Sequence, residues 1–152
     1  MTIATASPEA NPDTNGSLVV YDSVRGSNPD LFWRPVGGGT EVQLEMPGVE
    51  ANPSIAGNFI AFESRPTLVA TSDIYVYDLA ANRLYQITNT PLVTEQLNDI
   101  NVLPDGMIRT VWTGDEDGFS ATSTAPRFRC LITRRQSSPR ASAGRSAATT
   151  GM

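Results

Sequence analysis

Apolar residues in this chain come in short runs rich in Val, Ile, Tyr, Phe and Trp, and none keeps a helical period for three turns. Gly, Pro, Asn or Asp closes each run. The pattern predicts strands over Leu18–Ser23, Asp30–Arg34, Glu41–Leu44, Phe59–Ser64, Asp73–Asp78, Arg83–Thr88 and Met107–Thr113. Strands this short and this closely spaced suit antiparallel meanders, so the fold class is all-β. In Asp73–Asp78, alternation puts Ile74 and Val76 on one face and Tyr75 and Tyr77 on the other. Both faces are then largely apolar, as in a sheet stacked between two neighbours.

The pattern repeats. Glu9-Ala10-Asn11-Pro12 returns 41 residues later as Glu50-Ala51-Asn52-Pro53, and the same interval relates Tyr21 to Phe62 and Ser23 to Ser64. Asp30-Leu31-Phe32-Trp33 then matches Asp73-Ile74-Tyr75-Val76, and Val42-Gln43-Leu44 matches Tyr85-Gln86-Ile87, at an interval of 43. The two extra residues fall in 65–72, where a surface loop absorbs insertions at little cost. A third unit begins at Glu95 and Asn98, turns at Pro104-Asp105-Gly106 and reaches Val111-Trp112.

Each repeat has four strand slots: a short one at Asn-Pro, an apolar one, an Asp-led one and a Gln-led one. Four antiparallel strands in about 42 residues is the size of a propeller blade. The chain thus divides into an N-terminal extension (1–8), a partial β-propeller over 9–117 with blades at 9–48 and 49–92 and a half blade at 93–113, and a tail at 118–152. Complete propellers have about four to eight blades, so this is an incomplete ring. It reads as a fragment of a longer propeller whose terminal blades expose apolar Ile, Val, Phe and Tyr faces. The recurring Asp30 and Asp73 are expected to accept hydrogen bonds from turn amides at the strand start, and Gln43 and Gln86 to bond across a blade.

Asn52-Pro53, Ile60-Ala61-Phe62-Glu63-Ser64, Asp73 to Leu79 and Gln86-Ile87-Thr88 together resemble the repeat of TolB-type β-propellers. The resemblance covers about Glu9 to Trp112. The family's usual Trp-Ser-Pro-Asp-Gly is replaced by Ser54-Ile55-Ala56-Gly57, while Pro104-Asp105-Gly106 keeps its end. The resemblance implies a non-catalytic interaction module that meets a protein or peptide partner, with a parent often periplasmic or extracellular. Alternatives are an accessory propeller of a hydrolase whose catalytic domain lies elsewhere, or a calcium- or sugar-binding propeller. Homo-oligomerisation that closes the ring is a further expectation.

Charge and composition narrow the chemistry. Through Asp117 all 16 acids face five Arg, a net −11, whereas Gly118 to Met152 carries six Arg and no acid. That tail, mostly Ser, Ala, Thr and Arg, is expected to be disordered. The acidic body argues against a nucleic-acid partner. There is no His, which removes His triads, His bases and the histidine ligands of propeller lyases, and the single Cys130 removes internal disulfides and cysteine metal clusters. No run approaches the roughly 18 apolar residues of a membrane span, and Met1 to Asp13 has no signal-peptide pattern.

Asp115 and Asp117, just before Gly118, are the candidate cation ligands, since alternating hard oxygens before a glycine can wrap calcium. Thr113 stands where such a loop needs its first Asp and no closing Glu follows, so the reading is a solvated acidic turn. Gly37-Gly38-Gly39 has no following Lys and is read as a hairpin turn. Cys130, without a base to activate it, is read as inert. No cofactor and no catalytic residue is expected.

Overall fold

The computed structural model describes residues 6–115 and 128–130. They form three sheets. The first contains β1 (Glu9–Thr14), β2 (Leu18–Val24), β3 (Pro29–Pro35) and β4 (Val42–Gln43), in that spatial order. The second contains β5 (Val49–Ala56), β6 (Phe59–Arg65), β7 (Asp73–Asp78) and β8 (Arg83–Gln86), again in order. All neighbours in these two sheets run antiparallel, which is the meander of a propeller blade. The third pairs β9 (Glu95–Val102) with β10 (Ile108–Gly114), and β11 (Phe128–Cys130) runs parallel beside β10. No helix occurs among the described residues.

The first strand of each blade is longer than the short Asn-Pro slot expected: β1 has six residues, β5 and β9 eight each. The reason is a bulge. Asn11 and Asn52 take positive φ values of 49° and 51°, and the pairing register slips between Ala10 and Asp13 and between Ala51 and Ser54. Pro12 and Pro53 sit within that slip, where a missing N–H costs the ladder nothing, so the strand continues past them. Conversely, the outer strands expected over Glu41–Leu44 and Arg83–Thr88 shrink to β4 and β8. Leu44 N still donates to Leu31 O at 2.9 Å and Ile87 N to Ile74 O at 2.8 Å, carrying the pairing one residue further on each.

Two cores hold the blades together. Between blades 1 and 2 lie Val20, Leu31, Leu44, Ile55, Ile60 and Phe62, with Trp33, Tyr75 and Tyr77 packed against them. Between blade 2 and the third sheet lie Ala61, Ile74, Val76, Ile87, Ile100, Ile108 and Trp112. Strand β7 divides between them as its alternation predicts: Ile74 and Val76 enter one core, Tyr75 and Tyr77 the other. Strand β6 does the same with Ala61 against Ile60 and Phe62, which makes blade 2 a sheet buried on both faces.

The terminal faces depart from expectation. On the outward face of blade 1, Tyr21 and Phe32 stack at 6.0 Å, yet they are only 1% and 2% exposed. The Arg25 guanidinium lies 3.9 Å over the Phe32 ring, and Glu41 bonds both Arg25 and the Tyr21 hydroxyl. An ion pair thus roofs the aromatic face instead of leaving it bare. Beyond the third sheet's core, Arg109 and Val111 are half-buried and Thr113 is exposed, so that outward face is mixed rather than apolar. The exposed large apolar residues, such as Leu68, Val69 and Leu92, lie in loops, while Val42 and Leu84 lie on outer strands.

Within 118–152, expected as a disordered tail, only β11 belongs to the described residues. The third sheet's next slot is therefore filled by a parallel strand and not by the Asp-led antiparallel strand of the other blades.

Candidate functional site

Asp115 accepts a hydrogen bond from the Thr94 amide at 2.9 Å, so its carboxylate fastens the chain as it enters β9. Asp117 lies outside the described residues. Among those residues no group of three or more potential ligands gathers around a metal-sized space. Gly37-Gly38-Gly39 follows β3 as a turn, closed by Gly38 N donating to Pro35 O at 3.0 Å.

The recurring Asp and Gln are placed as the repeat suggests in blade 2. Asp73 accepts bonds from Thr90 N, Thr88 Oγ1 and Gln86 Nε2, each at 3.2 Å. One carboxylate therefore ties the start of β7 to β8 and the turn beyond it. Asp30, its equivalent in blade 1, is distinguished instead by burial, which raises its pKa.

A second polar set stitches neighbouring blades along their first strands. Asp22 accepts from the Asn52 amide at 2.9 Å and from Asn11 Nδ2 at 2.7 Å, while Asp13 accepts from Ile55 N at 2.7 Å. Asn98 donates to Asn52 O at 2.8 Å and accepts from Ser54 Oγ at 3.0 Å. These residues have their hydrogen-bonding capacity occupied by the adjacent blade, which makes them architecture.

An opening with space for a ligand lies at the opposite, outer side. A groove of about 550 Å³ runs between blades 1 and 2, lined by Trp33, Val42, Gln43, Glu45, Tyr77 and Leu84 among others. That volume falls within the usual range for ligand sites. Its floor is the Trp33–Tyr77 pair, with ring centroids 5.7 Å apart, and its rim carries the exposed Val42 and Leu84. The Tyr77 hydroxyl bonds Asn82, which takes positive φ in the β7–β8 turn. One wall is β4 and the segment after it, and β4 is the outer edge of its sheet. The groove joins aromatic floor, aliphatic rim, a sheet edge and one carboxylate, Glu45. Sequence reasoning did not find it, because Trp33 and Tyr77 belong to different blades and meet only when the blades stack.

Three stacked sheets, antiparallel apart from β11, meeting through apolar faces define a partial β-propeller. The solved structures agree: the chain is similar to TolB from Acinetobacter baumannii at 17% identity and a TM-score of 0.54, over 80% of this chain and 33% of that one. It is also similar to the β-propeller domain of the Trilobed protease from Pyrococcus furiosus, with its open velcro topology, at 20% identity, a TM-score of 0.52, and 64% and 32% coverage. The acylaminoacyl peptidase of Pyrococcus horikoshii gives 18%, 0.50, 61% and 15%. The fold is that of a TolB-like β-propeller, and the chain spans about a third or less of the length of each of these proteins. No protein-family model matches the sequence, and no curated protein matches it.

Proposed function

We propose that the chain works by binding and not by catalysis, and that the groove between blades 1 and 2 takes an extended peptide. The observation that carries this reading is the groove's construction. A peptide laid along β4 would add a strand to an edge only two residues long, with alternate side chains reaching the Trp33–Tyr77 floor. Glu45 in the lining and the net −11 charge through Asp117 favour a cationic peptide.

The test is selection from a display library of random decapeptides, run in parallel on the natural chain and on a Val42→Lys, Leu84→Glu variant. Both substitutions fall on exposed side chains and leave the cores untouched. Enrichment of Arg- or Lys-containing peptides on the natural chain, lost on the variant, supports the reading. Equal enrichment on both, or none on either, sinks it.

A second reading, an accessory propeller serving a hydrolase, is favoured by the likeness to a protease's propeller domain and to a peptidase. It too gives this chain a binding role. A gene encoding a hydrolase domain beside the propeller would separate it from the first.

A further inference from the structure

The same arrangement of two carboxyls recurs at both blade junctions. Glu50 is the second residue of β5 and Glu95 the first of β9, and both are 0% exposed. Each lies within electrostatic reach of an Asp at the start of the third strand of the preceding blade, Asp30 in β3 for Glu50 and Asp73 in β7 for Glu95. Glu50 Oε1 receives the Ser64 hydroxyl at 3.4 Å, and Glu95 Oε1 receives that of Thr90 at 2.7 Å. In both residues the other oxygen, Oε2, is buried without a hydrogen-bond partner. A buried carboxylate with one bare oxygen and a second acid beside it is costly, while a protonated carboxyl in the same place is not.

We propose that these two pairs make the blade junctions proton-dependent: Glu50 and Glu95 are held as neutral acids when the blades are packed, and the stack loosens as the pH rises and they ionise. The proposal does not depend on the binding reading. The surroundings offer no compensating charge. On Glu50 the acting groups are Asp30 from β3 and Ser64 from β6, and on Glu95 they are Asp73 from β7, Thr88 and Thr90 from the turn beyond β8, and the backbone of Glu95 itself. None of these is a cation, and the chain contains neither Lys nor His. Burial first, and then the neighbouring Asp, pushes the Glu50 carboxyl up to about 7, and burial raises that of Glu95 as well.

The sign follows from those shifts. A carboxyl whose pKa is higher in the folded chain than in the unfolded one contributes stability that is complete below the unfolded value of 4.5 and fades as the pH climbs through the folded value of about 7. Ordinary carboxylates are already ionised above pH about 5.5, and with no His the window from there to pH 8 is otherwise nearly silent.

The experiment is thermal unfolding of the full chain by circular dichroism between pH 5 and 8.5, for the natural chain, Glu50→Gln with Glu95→Gln, and Asp30→Asn. The midpoint of the natural chain is expected to fall across the window. The double Gln variant, which keeps the shape of the neutral acid, is expected to lose most of that slope and to melt higher than the natural chain at pH 8. Asp30→Asn removes the acid that helps hold the proton on Glu50, so it is expected to lower the Glu50 pKa in a carboxyl NMR titration and to make the midpoint loss shallower and complete at lower pH. A flat profile for the natural chain, or an unchanged slope in the double variant, overturns the proposal. So does restoration of the low-pH midpoint at pH 8 by calcium chloride alone, which would make the pairs a cation site.

Discussion

The backbone amide of Asn52 in blade 2 donates to the Asp22 carboxylate in blade 1 at 2.9 Å, and Asn52 holds positive φ to do so. The bulge that looks like a defect in β5 is thus what aims its amide across the junction. Asp22→Ala leaves that half-buried amide and the exposed Asn11 Nδ2 without their acceptor; water can partly replace it, so the loss is expected at the size of one net hydrogen bond, about 1 kcal/mol. Urea unfolding should show a lower midpoint with an unchanged slope, and no change in midpoint would contradict the assignment.

Gly48 carries a stronger constraint. It takes φ of +125°, and a Cβ placed there would lie 2.5 Å from the backbone oxygen of Arg65. Backbone cannot yield as a side-chain tip can, so Gly48→Ala is expected to cost about 2 kcal/mol or more. Gly37, where a Cβ meets nothing within 4 Å, is the control: Gly37→Ala should stay within about 0.5 kcal/mol of the natural chain. Equal melting of the two variants would refute the distinction.

Ile74 tests the second junction. It is fully buried in the core shared with Ile108 and Trp112, and truncation to Ala removes most of its packing there. The expected loss is about 2–5 kcal/mol. Trp112 fluorescence should shift to the red as its surroundings open, and a blue or unshifted spectrum would contradict that packing.

Arg25 is the roof over blade 1's outward aromatic face. Its ion pair with Glu41 is partly exposed, so Arg25→Ala should cost little stability, about 1 kcal/mol or less. Uncovering Phe32 and Tyr21 should have a larger effect on association. Light scattering over a dilution series is expected to show the variant self-associating at concentrations where the natural chain does not, and identical masses would argue that the roof lies elsewhere.

Much of the architecture was legible because the repeat reports it twice. Tyr75 and Tyr77 alternate with Ile74 and Val76, and a strand apolar on both faces has few places to sit except between two others. The long first strands were not legible, since Asn-Pro ordinarily punctuates a chain and only the positive φ at Asn11 and Asn52 lets a strand run through it. The recurrence of Glu9, Glu50 and Glu95 was visible as a repeat mark, but glutamate is usually a surface residue, so nothing in the pattern announced that two of them are buried. The groove was hidden for a different reason. Trp33 and Tyr77 become neighbours through stacking, which no local window contains.

Amide hydrogen exchange, with and without a peptide selected on the natural chain, tests the binding account most directly. Added protection should be confined to 42–47 and 82–86, the walls of the groove. Protection appearing instead along the first strands, over 9–14, 49–56 and 95–102, would place the binding surface at the other side of the blades and contradict it.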